Sequence, residues 1–149
     1  MKLTNFSLTG QRAVVRLPAG RGARTMKYLW VGVGGAVGSI ARYLVGLLVY
    51  ERMGTRFPYG TFVINISGCF VMGLALAVLD ERMGLSPAWR EATAIGFIGA
   101  FTTFSTFEYE TLRAVQHGQG ATALTYLVGS VALGFVAVWA GSMVGRVLA

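Results

Sequence analysis

Four stretches of mostly apolar residues divide this chain, each close to the ~20 residues a helix needs to cross the hydrocarbon core of a bilayer. They run from Tyr28 to Tyr50, interrupted by Arg42; from Tyr59 to Leu79, uncharged but holding Asn65; from Glu91 to Arg113; and from Ala121 to Val144. In lipid every backbone polar group must be satisfied internally, which leaves helices and closed barrels as spanning structures. Runs of this length therefore predict an all-α, multi-pass membrane protein with four transmembrane helices. Only 13% of residues are charged and mean hydropathy is +0.60, against about 25% charged in an ordinary soluble domain. The connections ERMGTRFP, DERMGLSPAWR and AVQHGQG are short and turn-like. Within them Ser86-Pro87 suits a helix start, with Ser as N-cap and Pro at the first helical position. Gly34-x-x-x-Gly38 and Gly141-x-x-x-Gly145 mark places where helices can approach closely, because small residues let backbones touch.

The first 25 residues differ. They are polar and basic, without the apolar stretch of a signal peptide, and Met26-Lys27-Tyr28-Leu29-Trp30 would itself suit the start of a membrane protein. Residues 1–25 are accordingly expected to be a dispensable extension or a start site assigned too early, and residues 26–149 the membrane domain. The formal charge of +7 invites a nucleic-acid partner, but much of it sits in this tail, where basic flanks mark the cytoplasmic side of membrane segments. With four spans, the tail, second loop and C-terminus carry nine Lys/Arg and the opposite side three. That places the N-terminus in the cytoplasm. Without residues 1–25 the bias falls to four against three, which is what a protein inserting both ways round carries. The single cysteine, Cys69, makes no intrachain disulfide and reads as a small apolar packing residue.

The spans hold no His/Cys/Asp/Glu cluster with metal-ligand spacing and no Ser/His/Asp set; the only histidine, His117, lies in a loop. The chain is not expected to be an enzyme or to carry an organic cofactor. Its unusual features are polar groups at membrane depth, which are costly and usually face a cavity or the bundle interior. Arg42 could snorkel to the interface, and Asn65 could make an interhelical hydrogen bond. Tyr126 and Ser130, at i and i+4, share a face of the fourth span. The hydroxyl run GAFTTFSTFEYE, residues 99–110, is harder to explain locally. A single Ser or Thr can bond its own i−4 carbonyl, but Thr102, Thr103, Ser105 and Thr106 fall within five positions. In a continuous helix Phe101, Phe104 and Phe107 would drift round one side, with Thr102, Ser105 and Thr106 on an adjacent face. In a broken helix the freed backbone would need protein, water or an ion: exposed N–H groups attract anions and exposed carbonyls cations. Ring edges, the positive part of an aromatic quadrupole, also suit an anion.

Three motifs carry a resemblance: GGAVGSIARY at 34–43, GTFVINISG at 60–68 and GFIGAFTTFSTF at 96–107. From Met26 onward the chain resembles the Fluc/CrcB family of fluoride channels. The resemblance implies four spans per protomer, a third helix broken at its middle, an antiparallel dual-topology homodimer with two pores, and passive fluoride export across a bacterial-type plasma (inner) membrane. It implies that Phe104 and Phe107 turn ring edges toward fluoride and that Asn65 donates its amide N–H. Ser105, Thr106, Tyr126 and Ser130 would line a polar track, Glu110 would lie at its far end, and Arg42 would lie near the cytoplasmic vestibule. The backbone carbonyls of Gly99 and Thr102 from both subunits would hold a structural sodium ion at the dimer axis. Ala100 replaces a frequent glycine beside that position, and Glu108 a frequent serine after the second ring. Two rival classes predict other behaviour. A small dual-topology drug exporter uses an acidic residue in its first span, where this chain has Arg42 and no acid. A non-transporting membrane scaffold predicts a polar run without effect on ion flux.

Overall fold

The computed structural model describes residues 21–81 and 87–149; most of the basic extension and the Ser86 cap lie outside the described residues. The described chain is helical apart from short turns. Its elements are α1 (Arg21–Met53), α2 (Tyr59–Glu81), α3 (Pro87–Arg90), a π-helix (Glu91–Ile98), α4 (Gly99–Phe101), α5 (Phe104–Gln116) and α6 (Gly120–Leu148). Among the described residues three helices are long and apolar enough to cross a membrane: Thr25–Met53, Tyr59–Leu79 and Gly120–Leu148. The second has the limits its hydropathy predicts, while α1 and α6 each run a few residues beyond theirs. α1 opens at Arg21, so helix already occupies the last residues of the segment expected to be an extension. It closes where Gly54 takes φ +70° and its amide donates to the Tyr50 carbonyl at 3.0 Å, a left-handed stop that glycine adopts without steric penalty.

The region from Glu91 to Arg113, expected as one span, is instead a chain of shorter pieces, none long enough to cross alone. The pieces follow α1 from end to end. Lys27 Nζ donates to Glu91 Oε1 at 2.6 Å, Arg42 Nη1 to the Thr102 carbonyl at 3.3 Å, and Arg113 lines the same cavity as Tyr50. The composite segment therefore runs parallel to α1 and covers the same height.

Packing is organised as two tight pairs. In the first, Gly34 and Gly38 of α1 lie so close to the π-helix that a Cβ at either would collide with the Ala92 or Phe97 carbonyl. In the second, α2 and α6 pack along their lengths: Gly73 faces the Val138 carbonyl, Gly141 the Phe70 carbonyl, and Gly145 the Leu74 carbonyl. Both expected small-residue motifs thus sit at close contacts, each on a different pair. The buried core is small (Ile64, Ile98, Phe107, Ala123 and Tyr126 are its main members), while large apolar side chains such as Val131, Phe135 and Trp139 point outward. An apolar exterior suits a bilayer, where lipid tails are as apolar as the side chains.

Candidate functional site

The interruption between α4 and α5 organises the candidate site. Thr102 (φ −80°, ψ 160°) and Thr103 (φ −150°, ψ 109°) are extended. Helical bonding persists up to the Thr102 amide, which donates to the Ile98 carbonyl at 3.0 Å, as does Thr102 Oγ1 at 3.1 Å. Helix ends leave orphan donors and acceptors, and in an apolar setting each needs a partner. Side chains from two other helices supply them. Asn65 of α2 grips Thr103 from both sides: its Nδ2 donates to the Thr103 carbonyl at 3.1 Å, and its Oδ1 accepts from the Thr103 amide at 2.9 Å. Arg42 of α1, half-buried, donates to the Thr102 carbonyl. Thr103 then caps α5, its hydroxyl accepting from the Thr106 amide and donating to Thr106 Oγ1 at 2.9 Å.

One turn along α5, Phe107 is buried and Phe104 is 75% exposed; their ring centroids are 5.9 Å apart. Phe107 meets Tyr126, which is fully buried, at 4.9 Å and a steep 67°, the edge-to-face arrangement that ring quadrupoles favour. Glu110 follows, with both carboxylate oxygens engaged: Thr61 Oγ1 donates to Oε1 at 3.0 Å and Tyr126 Oη to Oε2 at 2.8 Å. One turn further along α6, the buried Ser130 Oγ has no hydrogen-bond partner among the described residues.

Two cavities meet at Thr103. One, of about 550 Å³, is bordered by Asn65, Thr102, Phe104, Phe107 and Ser130. The other, of about 810 Å³, is bordered by Arg42, Thr61, Thr106 and Glu110. The structure thus gathers Arg42, Asn65, Phe104, Thr106, Phe107, Glu110 and Ser130 along one line of two adjoining cavities, which Tyr126 joins through Glu110 and Phe107. Ser105 is exposed and borders neither cavity. Glu108 is also exposed, away from both. Thr61 belongs to the line although its sequence gives little notice of it. The available signal was its position four residues before Asn65, on the same face of α2.

The Gly99 and Thr102 carbonyls, expected to hold sodium, lie at the interruption. In a continuous helix the Thr103 amide would bond the Gly99 carbonyl; Asn65 takes that amide instead. The Gly99 carbonyl is thereby released, a hard oxygen donor of the type alkali and alkaline-earth cations take. The Thr102 carbonyl already receives Arg42 and keeps its second lone pair. One chain therefore offers the released Gly99 carbonyl, together with a Thr102 carbonyl that a cation would have to share with the Arg42 guanidinium.

The fold and site define a class: polytopic helical membrane proteins, here with a helix interruption whose backbone is partnered by side chains of two neighbouring helices. Residues 29–142 match the family model described as CrcB-like protein, Camphor Resistance, and the chain belongs to this family. A relative from Acidobacterium capsulatum, a fluoride-specific ion channel FluC, is 68% identical over 121 residues, covering 81% of this chain and 97% of that protein. A Solibacter usitatus protein of the same name is 50% identical over 121 residues, covering 81% and 99%. One from Rhizobium meliloti, also so named, is 42% identical over 120 residues, covering 80% and 96%.

Proposed function

We propose that the chain is the protomer of a fluoride-selective channel that lets fluoride leave the cytoplasm passively across the inner membrane. The observation that carries the reading is the pinned interruption at Thr102 and Thr103, with Asn65, Phe104, Phe107 and Ser130 bordering the cavity beside it. The names of its relatives support the same substrate. Residues 26–149 form the channel domain, which agrees with a family match beginning at residue 29, and residues 1–25 are a dispensable extension. The composite segment that follows α1 is a fourth span, broken at its middle. Two copies assemble antiparallel, each inserted in the opposite sense, and place two passages in one dimer.

Fluoride is small and strongly hydrated, so a selective path must replace its water with N–H, O–H and ring-edge donors. Asn65 gives one amide hydrogen to Thr103; the second is the one available to an anion. Phe104 and Phe107 offer ring edges, and Thr106 and Ser130 offer hydroxyls; Ser105, which borders neither cavity, is left out of the path. Thr61 and Tyr126 point their hydroxyls at Glu110, so a passing ion competes with that carboxylate for the same donors. Arg42 raises anion concentration at the wide mouth. The Gly99 and Thr102 carbonyls of both protomers hold a structural sodium ion, which supplies positive charge to the interrupted backbone at the dimer axis. Hydrogen fluoride enters as a neutral acid, ionises near neutral pH, and the negative-inside potential drives the anion out without ATP or proton coupling.

Fluoride efflux from proteoliposomes, read with a fluoride electrode, tests this. Rapid fluoride release with chloride retained is expected. Absence of fluoride release, or equal release of chloride, would sink the channel reading.

A further inference from the structure

The cavity of about 810 Å³ is far larger than a single monatomic anion requires, and falls within the 300–1,000 Å³ typical of organic ligand sites. Its walls come from α1, the loop after it, the start of α2, α5 and the start of α6. Three arginines border it from separate elements, Arg42 half-buried and Arg56 and Arg113 exposed. Among the described residues, neither Arg56 nor Arg113 has a carboxylate partner. The one acid in the wall, Glu110, is already engaged by Thr61 and Tyr126. Tyr43, Tyr50, Tyr59 and Tyr109 are also among its lining residues. Tyrosines near a membrane interface ordinarily face lipid headgroups, but these border the cavity. Forked guanidinium donors match the oxygens of a phosphate, and exposed rings offer stacking faces to a planar group.

We propose that this cavity binds an aryl phosphate, its phosphate held by Arg56 and Arg113 and its ring laid against the tyrosines, and that the bound molecule plugs the wide mouth of the passage. The blocking half of the proposal rests on the channel reading above; the binding half does not. A phosphate monoester carries close to two negative charges at neutral pH, which suits a site with two unpaired cations. Because Thr103 borders both this cavity and the smaller one, an occupant of the first lies against the interruption.

Phenyl phosphate is the probe. Calorimetric titration into the full-length protein in detergent reads binding, and proteoliposomes of neutral lipid, with phenyl phosphate on both sides, read fluoride efflux. Saturable binding is expected, with parallel loss of efflux. Cyclohexyl phosphate and inorganic phosphate should act more weakly. Arg56→Gln and Arg113→Gln should each weaken binding and block about tenfold, as loss of a charged phosphate contact predicts. Each variant's uninhibited efflux serves as its own reference. Arg113→Lys, which keeps the charge and loses the fork, should fall between wild type and Arg113→Gln. No calorimetric binding, equal action by inorganic phosphate, or unchanged affinity in both Gln variants would overturn the proposal. Efflux suppressed by phosphatidylglycerol and restored by Arg56→Gln would assign the site to a lipid headgroup and overturn it as well. A protein that binds phenyl phosphate but never passes fluoride would refute the channel reading and leave the binding site standing.

Discussion

Asn65→Ala tests the arrangement at its most exposed joint. Asn65 supplies a partner to both backbone groups of Thr103, at 3.1 and 2.9 Å, in place of the helical bonds missing there. Truncation leaves one donor and one acceptor without those partners. A buried polar group stripped of its partner costs about 1–3 kcal/mol, so the pair is worth about 2–6 kcal/mol. Thr103 borders two cavities, where water can replace part of what is lost, which favours the lower half of that range. For a chain of this size each kcal/mol shifts the melting temperature by about 2–4 °C, and a fall of roughly 5–10 °C is expected. Circular dichroism melting in detergent measures it, beside fluoride efflux. Asn65→Asp separates the two duties of the side chain. It keeps an acceptor for the Thr103 amide but turns a carboxylate oxygen toward the Thr103 carbonyl and any anion, so it should end efflux with less thermal loss than Asn65→Ala. A melting temperature for Asn65→Ala within 1–2 °C of wild type, with normal efflux, would refute the idea that Asn65 splices the interruption.

Three further outcomes follow from other contacts. Phe104 is largely exposed within one chain, so Phe104→Ile should leave stability within about 0.5 kcal/mol while efflux falls below detection; normal efflux would remove the ring from the passage. Thr61 and Tyr126 donate to opposite oxygens of Glu110, so a cycle of Thr61→Val and Tyr126→Phe should show a coupling energy above about 0.5 kcal/mol, and strict additivity would separate them. Gly141 faces the Phe70 carbonyl with no room for a Cβ. Gly141→Ala should destabilise by about 1–3 kcal/mol or more, read as a lowered melting temperature, and an unchanged value would mean that α2 and α6 are not in close contact.

What the sequence disclosed and what it concealed divide along contact range. Apolar run length placed α1, α2 and α6, because crossing a bilayer is a local property of some twenty residues. The hydroxyl run marked where something unusual happens but left continuous and interrupted helices open. The choice depends on partners 38 and 60 residues away, Asn65 and Arg42, and no local propensity encodes them. Arg42 read alone suggested snorkelling; its actual partner is a backbone carbonyl exposed by the interruption. The Lys27–Glu91 pair was hidden for the same reason, since each residue read as an ordinary flank of its own segment. Thr61 was overlooked because a lone threonine near a helix start has an ordinary explanation. Only Glu110 and Tyr126, meeting it from two other helices, give it a different one. The π-helix at Glu91–Ile98 has no periodicity signal in so short a window; its register is fitted to the glycine face of α1.

The pairing of α2 with α6 has a consequence for how the chain is made. A ribosome delivers α2 early and α6 last, so the carbonyl-to-glycine seam along Gly73, Gly141 and Gly145 cannot close until synthesis is nearly finished. Until then α2 must lodge in lipid on its own hydropathy, with Asn65 waiting for a partner that arrives with the hydroxyl run. Closure of the bundle is thus a late, post-insertion event, and a premature stop within the final thirty residues would strand an already inserted helix without its mate.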